Sequence, residues 1–159
     1  RTNIKSIKEL NLEFQNMKKL IEKAEAFEST GVYFCEEMAD APIAELFLSF
    51  RSDPVFGKVM VVGMGGIYTE IFNDTKTLIL PVSRQELLYH LTELKGYEII
   101  LGYRNKIKVN KNKLLNNLFN LIDFFLDETN ECVSLEINPL FVYENSVKVI
   151  DCVMERKVS

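Results

Sequence analysis

The feature that most restricts the fold of this sequence is a series of short segments of alternating polarity joined by tight turns. Residues 44–53 (AELFLSFRSD) alternate as a β-strand, and the Asp53-Pro54 dipeptide marks a turn directly after them. Residues 58–74 hold two further strands around the glycine-rich run GMGG. Since strands joined by short turns pair in opposite directions, the pattern predicts a largely antiparallel sheet.

Helical patterns accompany these strands. Residues 12–28 and about 111–127 repeat apolar residues at helical spacing, and Ser83 with Glu86 forms a capping box that starts a helix between them. Helices on one face of an antiparallel sheet give an α+β fold. The remaining predicted strands are residues 31–38, 77–82, 134–143 and 147–154, of which the last two form a hairpin.

Composition excludes several classes of function. The 159 residues carry 19 Lys+Arg and 23 Asp+Glu, a net charge of -4, which argues against a general nucleic-acid binder. No apolar run reaches the roughly 18 residues of a transmembrane helix, so no membrane partner is expected. Three widely spaced cysteines give neither a disulfide framework nor a zinc site, so we expect reduced thiols in a cytoplasmic protein.

Two local features each have two interpretations. The basic run Arg104–Lys113 is either a solvated loop or a contact to phosphate or a coenzyme. The glycines of residues 63–66 either let backbone amides approach phosphates or form a turn or bulge. Neither GK[ST] nor G-x-G-x-x-G follows them, so the motif alone decides nothing.

The most informative segment is LEINPL, residues 135–140, with Asp151 on the next strand. In a strand Glu136 and Asn138 point to the same face, and Asp151 lies across the hairpin from them. Their oxygens suit Mg²⁺, which shares its shell with water and substrate phosphates. Alternatively, Asn138-Pro139 is only a strand end and Asp151 a surface acid.

Taken together, these segments resemble a known family over essentially the whole chain. The motifs are, in order, E-E-M, R-S-D-P-x-F-G, G-x-G-G-I-x-x-E, L-x-G-Y-R, L-E-I-N-P-L and V-I-D. They resemble the ATP-grasp portion of ADP-forming acyl-CoA synthetases (acetate–CoA ligases), relatives of the succinyl-CoA synthetase β subunit. The resemblance implies that residues 1–38 are the remnant of a nucleotide-lid subdomain and residues 39–159 the C-terminal ATP-grasp subdomain with the metal site.

The resemblance also implies roles for individual residues. Glu37 matches the hinge residue beside the adenine of ATP, and Glu45 an acid at the nucleotide phosphates. Asn138 and Asp151 match the Mg²⁺ ligands. Glu136 matches the carboxylate that contacts the phosphohistidine loop.

Three further residues complete the candidate site. Arg104 matches an arginine near the phosphates, with a catalytic role in offsetting their charge. Gly65 and Gly66 are the candidate backbone contacts to the nucleotide.

The implied activity is phosphoryl transfer between ATP/ADP and a phosphohistidine, coupled to interconversion of acyl-CoA and carboxylate. The histidine belongs to a separate CoA-binding subunit or domain, which also brings the acyl-CoA. These 159 residues alone are therefore not expected to turn over substrate. The alternative is a non-catalytic regulatory ATP-grasp module of an acetyltransferase-fused protein.

Some positions depart from the family pattern. Lys58 stands where the family usually has Pro, and Asn105 where Gly follows the arginine. Residues 1–7 (RTNIKSI) fit the motif H-K-[ST]-D-[IV]-G-G-V from its second position, with Lys-Ser in place of Gly-Gly. The first residue is Arg rather than Met, so we expect the sequence to be a piece of a longer protein.

Overall fold

A computed structural model of the chain describes residues 1–23, 32–66, 74–103 and 107–157. The chain divides into two compact units, Arg1–Asp40 and Ala41–Ser159. The sequence placed a boundary between residues 38 and 39. The assignment of the shorter unit to a nucleotide lid stays a prediction.

The described part of the shorter unit contains an amphipathic helix, α1 (Ile7–Lys23). It begins before the predicted residue 12 because Ser6 Oγ accepts a hydrogen bond from Glu9 N at 3.2 Å, which satisfies a free amide of the first turn. The Glu9 carboxylate in turn accepts from Lys5 N at 2.7 Å. The sequence Ser6-x-x-Glu9 is thus a capping signal that the apolar periodicity did not include. Residues 24–28, the predicted end of this helix, lie outside the described residues.

The predicted strand at residues 31–38 is wrong for its described part, because residues 32–38 have no regular secondary structure. A strand is stable only when a neighbour pairs with its backbone N–H and C=O groups. No described residue supplies such a neighbour to this segment. Alternating polarity alone therefore did not predict a strand correctly at this segment.

The larger unit is α+β, as predicted. No helix among the described residues of the chain is long and apolar enough to cross a membrane. In chain order the described elements of the larger unit are β1 (Ala44–Asp53), β2 (Gly57–Met64), β3 (Thr75–Ile79), α2 (Arg84–Thr92), α3 (Tyr97–Ile100), α4 (Lys111–Leu126), a 3₁₀ turn (Glu128–Asn130), β4 (Cys132–Val142), β5 (Val147–Val149) and β6 (Cys152–Arg156).

The six described strands form one sheet in the order β3-β2-β1-β4-β5, with β6 also paired to β4. Every described pairing is antiparallel. Along β1 the side chains of Leu46, Leu48 and Phe50 are fully buried, and the residues between them face the other way. The buried side chains pack in one hydrophobic cluster with α2 and α4, through Leu87, Leu91, Leu118, Ile122 and Phe125. The helices therefore lie on one face, and we call the opposite face, which carries Glu45 and Ser49, the second face.

The turn predicted at Asp53-Pro54 is present between β1 and β2. Asp53 Oδ1 accepts hydrogen bonds from Val55 N and Phe56 N, both at 2.9 Å. The hydrogen bond from the Phe56 N–H, followed by that from Val55, holds the pKa of the Asp53 carboxyl below its ordinary value. The capping of α2 is confirmed as well, since Ser83 Oγ accepts from Glu86 N at 3.2 Å.

The predicted single strand at residues 147–154 is instead two short strands separated by Ile150 and Asp151. Both keep one antiparallel register with β4, in which Leu140 faces Val149 and Ile137 faces Cys152. Regular pairing is interrupted opposite Pro139, which has no N–H to donate to the ladder. The predicted hairpin is confirmed, since Tyr143 N donates to Ser146 O at 2.9 Å.

Lys58, the residue that departs from the family pattern, joins β2 to the end of α4. Its Nζ donates to the carbonyl oxygens of Phe125 and Leu126 at 3.1 and 3.3 Å and pairs with Glu128 at 2.8 Å. A cation at a helix C-terminus offsets the free carbonyls and the negative end of the helix dipole. The same ammonium, through its hydrogen bond and its charge, lowers the pKa of Glu128.

Replacing Lys58 by methionine is expected to lower the free energy of unfolding by about 1–2 kcal/mol, because two helix carbonyls lose their donor. Urea denaturation measures this change, and Lys148→Met, at an exposed strand lysine, is the control, with an expected loss below about 0.5 kcal/mol. Since the pKa of Glu128 is lowered, its ion pair stabilises at neutral pH and is lost on acidification as Glu128 protonates. Equal losses in the two variants would contradict this role for Lys58.

Candidate functional site

The candidate site residues of β1 and β4 share the second face of the sheet. Ser49 pairs with Glu136 across these strands, and directly paired residues point to the same side. Glu45 lies on that side because Ala44 and Leu46 are buried on the other. Glu136 is exposed between the buried Leu135 and Ile137, as the predicted alternation requires. The strand alternation predicted around Glu136 is therefore confirmed, while the roles of Glu45 and Glu136 stay predictions.

Asn138 lies at an irregularity in the pairing of β4 with β1. Leu46 faces Leu140 whereas Leu48 faces Ile137, so Asn138 and Pro139 together oppose one residue of β1. This is the arrangement of a β-bulge, which changes the direction of a side chain at the sheet surface. β4 continues through Pro139 to Val142, so the interpretation of Asn138-Pro139 as a strand end is wrong.

The glycine-rich run crosses the start of β1 and reaches Asn138. Gly65 N donates to Glu45 O at 2.8 Å, and Gly66 N donates to Asn138 Oδ1 at 3.3 Å. A Cβ at Gly65 would approach the backbone of Leu46 to 2.6 Å, so the two chains meet too closely for any side chain. A Cβ at Gly66, where φ is +71°, would collide with the Glu45 carboxylate. Gly65 is therefore required by close approach to backbone, whereas Gly66 is favoured by its positive φ and by the nearby Glu45 side chain.

Asp151 is joined to the same place through its backbone. Asn138 N donates to Asp151 O at 3.1 Å. Ile150, the other residue between β5 and β6, donates its N–H to Pro139 O at 3.2 Å. The Asp151 side chain is exposed. The cross-strand position predicted for Asp151 opposite Asn138 is therefore present, although the strand is interrupted there.

The oxygen atoms at this place suit a hard cation whose coordination shell is completed by other ligands. Among the described residues, no three His, Cys, Asp or Glu side chains are grouped closely enough to hold a metal by themselves. An amide oxygen has two lone pairs, so Asn138 Oδ1 can accept from Gly66 N and still bind a cation. Mg²⁺ commonly takes one or two protein oxygens and fills its shell with water and phosphate oxygens. Asn138 and Asp151 fit that requirement.

Two of the predicted site residues lie outside the described part of the larger unit. Glu37 belongs to the shorter unit, where it lines a cavity of about 810 Å³ together with residues of α1 and residues 33–38. Arg104 lies outside the described residues. Their roles stay predictions.

The described part of the basic run begins at residue 107 and leads into α4. Asn110 caps this helix, its side chain accepting from Lys113 N at 3.2 Å, and Lys108 and Lys111 are exposed. Lys111 Nζ lies 5.9 Å from the centre of the Tyr97 ring. The end of this run therefore starts the helix predicted at about 111–127, and the Asn110 cap is the part that the sequence did not predict.

Asp74 supports the glycine-rich run and was missed as a functional residue by sequence reasoning. It is the one buried charged residue in the described part of the chain, at 8% exposure. Its carboxylate accepts from Lys95 N and Gly96 N, both at 2.9 Å, and its carbonyl accepts from Met64 N at 3.1 Å. It therefore fixes the end of β2 from which the glycines leave. No local sequence pattern indicates this role, because the two amides that bind the Asp74 carboxylate lie about twenty residues later in the chain.

Comparison with known proteins gives the family. A family model described as the ATP-grasp domain matches residues 1–155. An ADP-forming acetate–CoA ligase of Archaeoglobus fulgidus is 30% identical over 158 residues, which cover 98% of this chain and 22% of that ligase. The β subunit of an ADP-forming acetate–CoA ligase of Pyrococcus furiosus is 32% identical over 110 residues, 69% of this chain and 47% of that subunit. The chain thus spans less than half the length of either relative.

Solved structures show the same fold. An acetyl-coenzyme A synthetase of Ca. Korarchaeum cryptofilum superimposes with a TM-score of 0.81 at 22% identity, covering 99% of this chain and 67% of that one. That structure holds coenzyme A and Mg-AMPPCP, with a phosphohistidine segment pointing towards its nucleotide binding site. A protein of Pyrococcus horikoshii superimposes with a TM-score of 0.75, also at 22% identity. The predicted fold, an α+β ATP-grasp subdomain with a mostly antiparallel sheet, is confirmed.

Proposed function

The chain belongs to the ATP-grasp domain family, and on that premise we propose that it is the nucleotide- and metal-binding part of an ADP-forming acetyl-CoA synthetase. One observation carries this proposal. Asn138 and Gly66 link four separate segments: the Glu45 carboxylate lies beside Gly66, Gly66 N donates to the Asn138 amide oxygen, and Asn138 N donates to Asp151 O. Such convergence of hard oxygen atoms with a glycine amide suits a metal–phosphate group.

Each side chain at this place has a role in holding the nucleotide. Asn138 and Asp151 would bind Mg²⁺ through their side-chain oxygens. When bound, the cation offsets the charge of the phosphates and orients them for phosphoryl transfer. Glu45 adds acceptor oxygens beside Gly66, for metal-bound water or other donors. Glu37 at the adenine and Arg104 at the phosphates complete the proposed site.

The histidine that exchanges the phosphoryl group has to come from elsewhere. The only histidine of the chain, His90, lies on α2, which packs on the helix-covered face of the sheet. Glu136 is exposed on the second face, two residues from Asn138, where an incoming imidazole can reach it. A carboxylate beside an imidazole sets its orientation and stabilises its protonated form. We assign Glu136 this role.

A partner subunit or domain therefore supplies the phosphohistidine, coenzyme A and the acyl group. Two Pyrococcus furiosus relatives are named as β subunits, which supports assembly with a second kind of subunit. We place the protein in the cytoplasm, because its three cysteines are free, as thiols in reducing compartments are. The alternative of a regulatory acetyltransferase-fused module is not favoured, since the relatives reported above are named as ligases.

Phosphoryl labelling tests the proposal. The full-length protein with its partner, incubated with Mg²⁺ and ATP labelled at the γ-phosphate, is expected to gain a label on histidine. Phosphohistidine is recognised because acid removes it and alkali does not, and added ADP should remove it as ATP. Omission of Mg²⁺ is the control and should prevent labelling. A protein that binds Mg-ATP without any labelling would contradict the proposal and favour the regulatory alternative.

A further inference from the structure

We propose that Gly66 is a positioning residue for the metal site, because its N–H sets which atom of the Asn138 amide faces the cation. This inference rests on the proposed function and adds to it a role for the glycine-rich run. In this role the run orients a metal ligand, in addition to any contact that it makes to phosphate. Three contacts support this role: Gly66 with Asn138, Gly66 with Glu45, and Asn138 with Asp151.

A side-chain amide binds a cation with only one of its two ends. The oxygen has two lone pairs, whereas the NH₂ group only donates hydrogen bonds, and rotation of the amide by 180° exchanges them. Gly66 N–H is a donor, so the end of Asn138 that it meets at 3.3 Å is the oxygen. The backbone of Asn138 is fixed at the same time by its hydrogen bond to Asp151 O. The amide oxygen is therefore oriented before any cation arrives.

The absence of a side chain at Gly66 favours this contact. With φ at +71°, the residue has a backbone conformation that side chains disfavour. A Cβ there would also meet the Glu45 carboxylate, with its nearest approach to Oε2. Either the carboxylate or the loop would have to move, and a moved loop takes the N–H away from Asn138. The strain of positive φ and the collision are separate effects, so they can be tested separately.

Gly57 provides the matched control. It too has positive φ, +76°, but a Cβ there would meet nothing within 4 Å. Gly57→Ala therefore introduces backbone strain without a collision and away from Asn138, whereas Gly66→Ala introduces both. Partners that orient metal ligands typically contribute 10–100-fold to metal affinity. We expect a loss of about that size for Gly66→Ala only.

The experiment measures Mn²⁺ binding to the full-length protein in the presence of ADP, by electron paramagnetic resonance. Gly66→Ala should raise the Kd for Mn²⁺ about 10–100-fold, with turnover at saturating metal largely restored. Gly57→Ala should leave the Kd within about twofold of the wild type. Equal Kd values in the two variants would overturn the role of Gly66. A wild-type protein that binds no Mn²⁺ with ADP would overturn the proposed function itself.

A second background separates orientation of Asn138 from displacement of Glu45 or loss of folding. In Asn138→Asp either carboxylate oxygen can face the cation, so orientation by Gly66 no longer matters. The effect of Gly66→Ala on the Kd should therefore fall to about threefold or less in this background. An undiminished effect would show that Gly66 acts through another contact, and the inference would be wrong. Thermal unfolding of all variants identifies any that are not folded.

Discussion

Replacing Asp151 by alanine in the full-length protein is expected to lower Mg²⁺-dependent phosphoryl transfer by about 1,000-fold or more. Asp151 is exposed and adjoins Asn138 through a backbone hydrogen bond of 3.1 Å, so the fold does not depend on its side chain. Its carboxylate is the one charged ligand of the proposed pair. Without it, the amide of Asn138 alone would hold Mg²⁺ weakly, and the charge of the phosphates would be poorly offset.

Asp123→Ala is the matched control, because Asp123 is an exposed aspartate on α4. Its turnover should stay within about twofold of the wild type. ADP binding measured with and without Mg²⁺ locates the defect, since the Asp151 variant should lose the gain in affinity that Mg²⁺ confers. Unchanged turnover of Asp151→Ala would refute its assignment as a ligand.

Replacing Phe125 by alanine is expected to lower the free energy of unfolding by about 3–5 kcal/mol. Its ring is fully buried, lies 5.4 Å from the ring of Phe50 and is 5.2 Å from the Lys58 ammonium. The substitution leaves a cavity where α4 meets β1 and also removes a cation–π contact. Since β1 carries Glu45, the loss would loosen one wall of the candidate site.

The neighbouring Phe124 provides the control for this substitution. It has the same side chain in the same helix, but it is 40% exposed. Phe124→Ala should change the free energy of unfolding by less than about 1 kcal/mol, as measured by urea denaturation. Comparable losses at the two positions would show that the buried face of α4 is not the one described.

Local patterns predicted most of the fold and part of the site. The apolar face of α4, with Leu114, Leu118 and Phe125 buried, follows from helical spacing within one segment. The predicted strands that carry Glu45 and Glu136 are confirmed, and in the structure both side chains lie on the face away from α2 and α4. The roles proposed for Glu45 and Glu136 came from the family resemblance. For Asp151, spacing alone left a surface acid as the alternative to a metal ligand.

Features that depend on distant partners were not predictable. The bulge at Asn138 exists only in relation to β1, and the break between β5 and β6 depends on Pro139 of another strand. Asp74 bonds to amides far along the chain, and Lys58 acts at the end of a helix that the sequence places much later. Residues 32–38 have the alternating pattern of a strand but form none, because no described residue pairs with them.

The most direct test of the central claim is the position of the cation in crystals of the full-length protein grown with Mn²⁺ and ADP. Anomalous diffraction at the manganese absorption edge locates the ion independently of any assumption about the site. We expect one anomalous peak beside the Asn138 and Asp151 side-chain oxygens, at about 2.2 Å from each, as hard-cation coordination requires. A peak bound to neither side chain, with ADP present elsewhere on the protein, would contradict the assignment of this site.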